Sequence, residues 1–508
     1  MDNKIFYRGR QQQSNLPFKV FEGYSYCCYK TVKDTSYLRC CERRSLRCDA
    51  HGKFQNGQIF LTTNHNHEGE PKLELYYNFQ KALYYASISQ PYQSLRLIYD
   101  NLSVIHYEAA IKYTWAKMQP MMTSWRRSNQ LPHPPIPNDL LHYVTLLRMP
   151  QWDHLLRYSQ GHLSVSALHA PDGGIIIIFF DLNFLASIIT TTLFMDATFK
   201  MTPKKPKVYQ FFTIMALINN KALPICWMLM SKKSASAYKT GLSYFKNHGA
   251  PHIQPQTIMS DFEASLDVAI KDQFPATLHT GCYFHFCQAL IKRLKKLGLL
   301  RLVSTWKYGQ IIIRKLMALA LLPPNDALQG YNWLITNIPE DIYILLHEFF
   351  LYFYNQWIVR TPPTLWSVHG HEQRTNNFSE SYHKKSNIRF GVHPNIWDFT
   401  ENLTRLQAIT RIEYESLQNG EDITRSTRSE NLDINMKIKK AWDLYNNNIL
   451  DIPSFLACAS NFLRAFQGHI IDDEPNHQNN VADIDANNIV NNYDDHLIFL
   501  ELNIMEIQ

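Results

Sequence analysis

Five apolar runs of strand length follow one another at about residues 191–198, 208–218, 223–231, 256–261 and 277–284. Two polar segments of helical spacing interrupt them, SASAYKTGLSYFKNH after the third run and EASLDVAIKDQF after the fourth, and the serines opening the first can cap it. The pattern predicts βββαβαβα, a mixed α/β sheet. From about 288 to 365 the spacing is helical, with broad apolar faces in KYGQIIIRKLMALALL, NDALQGYNWLITNI and DIYILLHEFFLYFYNQWIV. Further helices are predicted over NNFSESYHKK and from about residue 395. Upstream, LELYYNFQKALYYASI and NDLLHYVTLLRM flank the Pro-rich break LPHPPIPND and predict a helical connector. The first stretch, with YSYCCYKTV and QIFLTT between polar turns, predicts a small β module. The resulting organisation is a β module over 1–75, a helical connector over 76–170, an α/β core over 171–290 and an all-α insertion over 291–370. The core resumes over 371–470, and the Asn- and Asp-rich tail over 471–508 is expected to be disordered.

Composition narrows the class. The 508 residues are 45% hydrophobic and 19% charged, enough for full-sized cores, and the formal net charge of +7 is compatible with a polyanionic partner without requiring one. MDNKIFYRGRQQQ lacks the apolar centre of a signal peptide and IIIIFF at 175–180 is too short to span a bilayer, so a soluble intracellular protein with no membrane partner is expected. Of nine cysteines, five lie between Cys27 and Cys48, a crowding that in a reducing compartment points to zinc.

Three carboxylates stand out: Asp196 in LFMDATFK, Asp261 in TIMSDFEASL and Glu380 in RTNNFSESYHKKSN. Singly, an Asp at a strand end is an ordinary turn residue. In the order strand Asp, strand Asp, helix Glu, on a βββαβαβα sheet, the three match a ribonuclease H-like fold, in which neighbouring strands only about 5 Å apart bring the first two acids together. Such oxygens suit two Mg²⁺ or Mn²⁺ ions and in-line phosphoryl transfer, chemistry that does not by itself choose between DNA and RNA. Glu263 is a further acid near Asp261, expected in the first turn of the following helix.

Cys40, Cys48, His65 and His67 offer the two thiolates and two imidazoles of a tetrahedral zinc site, with Cys41 competing with Cys40 for the first position. Cys282 and His285 form a CxxH pair, half of a metal site, for which Cys287, His279 and His383 are possible partners and packing the more ordinary role. His383 falls one helical turn from Glu380 and can orient a water or a phosphate; Asn376 and Asn377 are placed to start that helix.

Over about residues 175–410, LFMDATFKMTPKKPKVYQFFTIMAL, LPICWMLMSKKSASAY, SDFEASLDVAI, GCYFHFCQAL, LWSVHGHEQRTNNFSESYHKKSN and HPNIWDFTENL appear in one order that resembles the transposases of Mutator-like elements, the MULE family. The resemblance implies a DDE-type transposase with Asp196, Asp261 and Glu380 as the catalytic, metal-holding triad. It further implies cleavage at element ends, strand transfer into double-stranded target DNA, homo-oligomeric synapsis and a nuclear location. In place of the family's Gly after the first acid stands Ala197. The N-terminal module resembles a FLYWCH-type zinc finger, with Leu38 where a Trp is usual, and this implies DNA contact. Arg39, Arg43, Arg44, Arg47 and Lys53 lie among the ligands, and Lys200, Lys204, Lys205 and Lys207 directly follow Asp196, so both groups are candidate phosphate contacts. Lys292, Arg293, Lys295 and Lys296 read more simply as a solvated helix face. A domesticated, catalytically silent DNA-binding regulator and a nuclease of the same fold are the alternatives.

Overall fold

A computed structural model describes residues 19–90, 93–129, 133–375, 377–423 and 429–463, without the side chains of Asn377, Glu380 and residues 429–432. Asn376 and the tail 471–508 lie outside the described residues. The chain divides into two compact units, Met1–His133 and Pro134–Gln508.

In the first unit β1 (Lys19–Phe21), β2 (Tyr24–Val32), β3 (Thr35–Cys40), β4 (His51–Gln55) and β5 (Gln58–Leu61) form an antiparallel meander in sequence order. Asn56 and Gly57, both at positive φ, join β4 to β5, because a two-residue hairpin turn needs left-handed backbone at both centres. One face of the sheet packs Tyr26 and Leu38 against Tyr24, Cys28, Phe54 and Ile59. That is a small core. Helices α1 (Leu73–Ser89), α2 (Leu95–Ile105), α3 (Tyr107–Lys112) and α4 (Trp115–Asn129) follow, packed around Phe79, Leu83, Tyr84, Met118, Met122 and Trp125. Lys72 to Glu108 at 2.9 Å and Lys112 to Glu70 at 3.3 Å link α3 to the chain just before α1.

In the second unit α5 (Leu140–Leu147) precedes a short hairpin, β6 (Arg157–Tyr158) and β7 (Gly161–His162), then β8 (Ser164–His169), β9 (Ile175–Phe180) and α6 (Leu182–Ser187). Next come β10 (Thr192–Thr198), β11 (Gln210–Ile218), β12 (Lys221–Met230), α7 (Ala235–Tyr244), β13 (Thr257–Ser260), α8 (Ala264–Gln273) and β14 (Leu278–Gly281). The sheet order is β14-β13-β10-β11-β12-β9-β8, with β13 and β14 parallel to β10 and the other pairings antiparallel. A small β-rich module thus precedes a mixed α/β region.

The five runs expected as strands are β10–β14, but the sheet extends two strands further, because part of the expected helical connector and the run IIIIFF form β8 and β9. β8 sits at the sheet edge with its residues only half-buried, so its sequence, SVSALH, carries little apolar signal. Inner strands are apolar on both sides because both faces are covered. Ile176, Ile178, Met195, Phe212, Ile214 and Met228 line one core, while Ile177, Phe179, Phe194, Phe211, Trp227 and Leu229 line the other.

After the sheet, α9 (Tyr283–Lys296), α10 (Leu300–Thr305), α11 (Lys307–Ala318), α12 (Ala327–Thr336), α13 (Glu340–Phe353) and α14 (Pro363–Trp366) build the helical layer. Phe286 stacks on Trp366 in its core, at 5.1 Å between centroids. The chain then returns to the sheet in α15 (Asn377–Phe390) and α16 (Ile396–Gln418); α17 (Ser429–Asn446) and α18 (Ile452–Phe462) rejoin the helical layer. Among the described residues no helix is long and apolar enough to cross a membrane.

Among the buried bonds that tie α15 to the sheet, Trp227 Nε1 donates to Tyr382 Oη at 2.7 Å. Tyr382→Phe removes the acceptor and leaves a buried N–H unpaired, so a loss of about 1–3 kcal/mol is expected, read as a lower urea midpoint. An unchanged midpoint would mean that this bond does not hold the helix.

Candidate metal centre and carboxylate site

β3 ends on Cys40, whose N–H donates to Ala50 O at 2.9 Å, so the loop carrying Cys48 folds back beside it. Past β5, the N–H of Thr62 donates to His51 O at 2.8 Å and the chain turns to present His65 and His67. The four ligand atoms lie within 4.8 Å of one another. Cys40 Sγ is 3.4 Å from His67 Nε2, Cys48 Sγ is 3.4 Å from His65 Nδ1, and those two ring nitrogens are 3.4 Å apart. Zn–S of about 2.3 Å and Zn–N of about 2.0–2.1 Å in a tetrahedron require separations of roughly 3.3–3.6 Å for the N–N and N–S pairs, and the three such distances fit Zn²⁺.

The second nitrogen of each imidazole is also engaged, as metal-binding histidines require. His67 Nδ1 lies 3.0 Å from Glu68 O and His65 Nε2 lies 2.8 Å from Tyr26 Oη. Tyr24 stacks on His65 at 3.7 Å. Burial first, and then the neighbouring His67, hold the His65 pKa below its usual value and favour the neutral ring that a metal needs.

Cys40 joins this cluster and Cys41 does not. Cys41 Sγ turns to Cys27 Sγ, 2.6 Å away, and that contact, helped by Arg39, lowers the Cys27 thiol to about 7 against the opposing effect of burial. Arg39, Arg43, Arg44, Arg47 and Lys53 are exposed. Register puts Arg39 opposite His51 and Lys53 opposite Tyr37 and Phe60, on the sheet face away from Tyr26 and Leu38.

In the second unit, Asp196 lies within β10 rather than at its end. β10 keeps pairing with β11 to Thr198, whereas its pairing with β13 stops at Met195 opposite Ser260. Asp196 and Asp261 are therefore level, one residue beyond that last pair, on strands about 4.8 Å apart. Met195 belongs to one core and Phe194 to the other, so alternation turns Asp196 to the face that α15 covers. Phe378 packs edge-on against Phe194 at 5.6 Å and His383 Nδ1 stands 3.5 Å from Asp196 Oδ2. Two contacts with β10 thus bracket the Glu380 backbone.

Asp196 is buried and its Oδ1 accepts from Ala197 N–H at 2.8 Å. Burial, and then the neighbouring His285, push the His383 pKa down to about 4, so its contact with Asp196 at neutral pH is that of a neutral ring and not an ion pair. His383 Nε2 is buried without a hydrogen-bond partner among the described residues. His285, in the first turn of α9, also has a lowered pKa, from burial first, while Asp261 acts in the opposite sense. The CxxH pair therefore opens α9, with Cys282 at its cap and His285 in the electrostatic reach of Asp261 and His383.

Among the described residues, Cys282 and His285 belong to no group of three or more metal-ligating side chains. Of the possible partners, His279 lies 2.9 Å from Asp267 Oδ1 and 2.8 Å from Ser260 Oγ, Cys287 is buried in the helical core, and His383 turns its Nδ1 to Asp196. Glu263 sits at the N-cap position just before α8 rather than in its first turn, and its carboxylate, instead of capping the helix, meets Lys233 at 3.1 Å and accepts from Tyr238 Oη at 2.9 Å. Lys200, Lys204, Lys205 and Lys207 are exposed while Met201, Thr202, Pro203, Pro206 and Val208 between them are buried. The loop is pinned to the α15–α16 connection by His393 N–H to Lys200 O at 3.0 Å and Lys204 N–H to Pro394 O at 3.3 Å. Of Lys292, Arg293, Lys295 and Lys296 on α9, Arg293 lies over the Tyr352 ring at 4.9 Å. The Tyr24 and Tyr26 support of His65 and the link of Trp227 to Tyr382 carry no signal in the sequence, since both depend on register.

Cys40→Ser is expected to abolish stoichiometric zinc and Cys41→Ser to retain it, with Tyr26→Phe weakening zinc affinity about 10–100-fold in chelator competition. Equal zinc loss from both cysteine variants would reject the ligand set. These four residues close the stretch 6–67 that matches the family model for the FLYWCH zinc finger domain. Residues 192–289, from β10 into α9 and including Asp196 and Asp261, match the model for the MULE transposase domain. No match is found among curated proteins. The chain thus carries an N-terminal FLYWCH zinc finger domain and a MULE transposase domain.

Proposed function

We propose that this protein is a DNA transposase of the Mutator-like type, with a ribonuclease H-like core whose catalytic acids are Asp196, Asp261 and Glu380. The carrying observation is the level position of Asp196 and Asp261 on parallel strands, on the face crossed by the helix of Glu380. These acids would hold two Mg²⁺ or Mn²⁺ ions, which supply charge neutralisation and a lowered pKa for the attacking water or 3′ hydroxyl. Asp196 supports this role with a buried carboxylate at the open end of the β10–β13 pairing. His383 and His285 orient groups at the acids as neutral rings. Lys200, Lys204, Lys205 and Lys207, on their pinned loop, hold DNA phosphates beside the acids.

The zinc module reads element ends. Arg39 and Lys53 share its outward face, with Arg43, Arg44 and Arg47 on the neighbouring loop, so they meet phosphates while the zinc fixes the strands. Double-stranded DNA is the partner, a homo-oligomer forms when two ends are paired, and the nucleus is where the protein works. A catalytically silent regulator would use the same zinc module, but intact acids favour chemistry.

Inverted repeats and a short target duplication flanking the coding region are expected. Purified full-length protein, incubated with labelled DNA from those flanks and Mn²⁺, should yield joined products. Asp196→Asn, Asp261→Asn and Glu380→Gln should each abolish them while leaving DNA binding within about two-fold. Products that survive Asp196→Asn would sink the assignment of the acids; binding without products in the unaltered protein would favour the regulator.

A further inference from the structure

Two cysteines of the zinc module stand outside its metal site. Cys27 Sγ and Cys41 Sγ are 2.6 Å apart, and both residues are only half-buried. Alternation along β2 explains the choice of partner. Cys28 faces the small core with Tyr26 and Leu38, its thiol near Lys30 O at 3.5 Å and Thr31 Oγ1 at 3.6 Å. Cys27 points the other way, opposite Arg39 in the β2–β3 register. Cys41 follows the ligand Cys40, and Cys27 follows Tyr26, whose hydroxyl supports the ligand His65.

We propose that Cys27 and Cys41 form a redox modification site, closing to a disulfide on exposure to hydrogen peroxide and reopening with a thiol reductant while the neighbouring zinc stays bound. The Cys27 thiolate attacks one peroxide oxygen, the O–O bond breaks, and the departing hydroxide takes up a proton and leaves as water. The sulfur of Cys41 then displaces hydroxide from the resulting sulfenic acid, giving the S–S bond and a second water. Two thiols are oxidised and one peroxide is reduced to two waters. The contact with Cys41 favours the Cys27 thiolate, burial opposes it and Arg39 adds to it, and the sulfurs stand 2.6 Å apart against a bond of about 2.05 Å. A packing pair would need no such access. The bridge would join β2 to the residue after Cys40, across the strand pair that presents the first ligand.

The test uses the zinc-loaded full-length protein treated with graded hydrogen peroxide, then alkylated, digested without reduction and examined by mass spectrometry beside its zinc content. A linked peptide joining Cys27 to Cys41 is expected, two hydrogens lighter than the reduced pair and reversed by dithiothreitol, at doses that leave zinc undiminished. Cys27→Ser and Cys41→Ser should each abolish that peptide and Cys28→Ser should leave it at the unaltered yield, all three retaining zinc. Differential alkylation of the unaltered protein gives a second reading that needs no variant. The proposal is overturned if zinc is released before the bridge forms, if Cys27 stays alkylatable throughout, or if Cys41 is found bridged to another cysteine.

Discussion

The parallel pairing of β10 with β13 is the constraint on which the carboxylate site depends. Antiparallel neighbours would place the two strand ends at opposite edges of the sheet, whereas the register from Thr192 opposite Thr257 to Met195 opposite Ser260 delivers Asp196 and Asp261 to one edge at one level. That pairing requires α7 to carry the chain back from β12, and burial of both sheet faces keeps it in register. A slip of one residue on β10 would exchange Phe194 with Met195 between the cores and turn Asp196 to the wrong face.

The first unit answers a different difficulty. Its sheet buries Tyr26 and Leu38 on one face, too little apolar surface to order a module of this size alone. Cys40, Cys48 and Ala50 form a second buried cluster, and the metal ligands draw the loop after β3 and the chain after β5 onto it. A metal held by these four side chains would couple its binding to the folding of the module. Tyr24 and Tyr26 serve both parts, packing with the core and touching the histidines.

Much of this was legible in the chain. β10–β14 and the helices between them follow from apolar runs and helical spacing because the inner strands are covered on both faces, and the Cys and His spacing named the four residues that the structure gathers. The limits have physical causes. β8 is a half-buried edge strand whose side chains carry mixed polarity, so the helical connector expected over 76–170 runs through it. The choice between Cys40 and Cys41 turns on strand register, which a bulge between Cys28 and Lys30 alters, and spacing alone does not give the result. His285 reads in sequence as half of a metal site; its proximity to Asp261 exists only because α9 starts beside the end of β13. Glu380 falls on a helix, as its polar surroundings suggest.

The docking of α15 and α16 on the sheet also sets an order in time. Trp227 and Tyr382 are 155 residues apart, and Tyr143 meets Thr400 across 257. On the ribosome, therefore, the face bearing Phe194, Phe211 and Trp227 is made long before the helices that cover it, and α9–α14 must emerge in between. During that interval the nascent chain presents an uncovered apolar sheet, and its protection falls to chaperones or to the speed of elongation. The acid site cannot assemble before that wait is over.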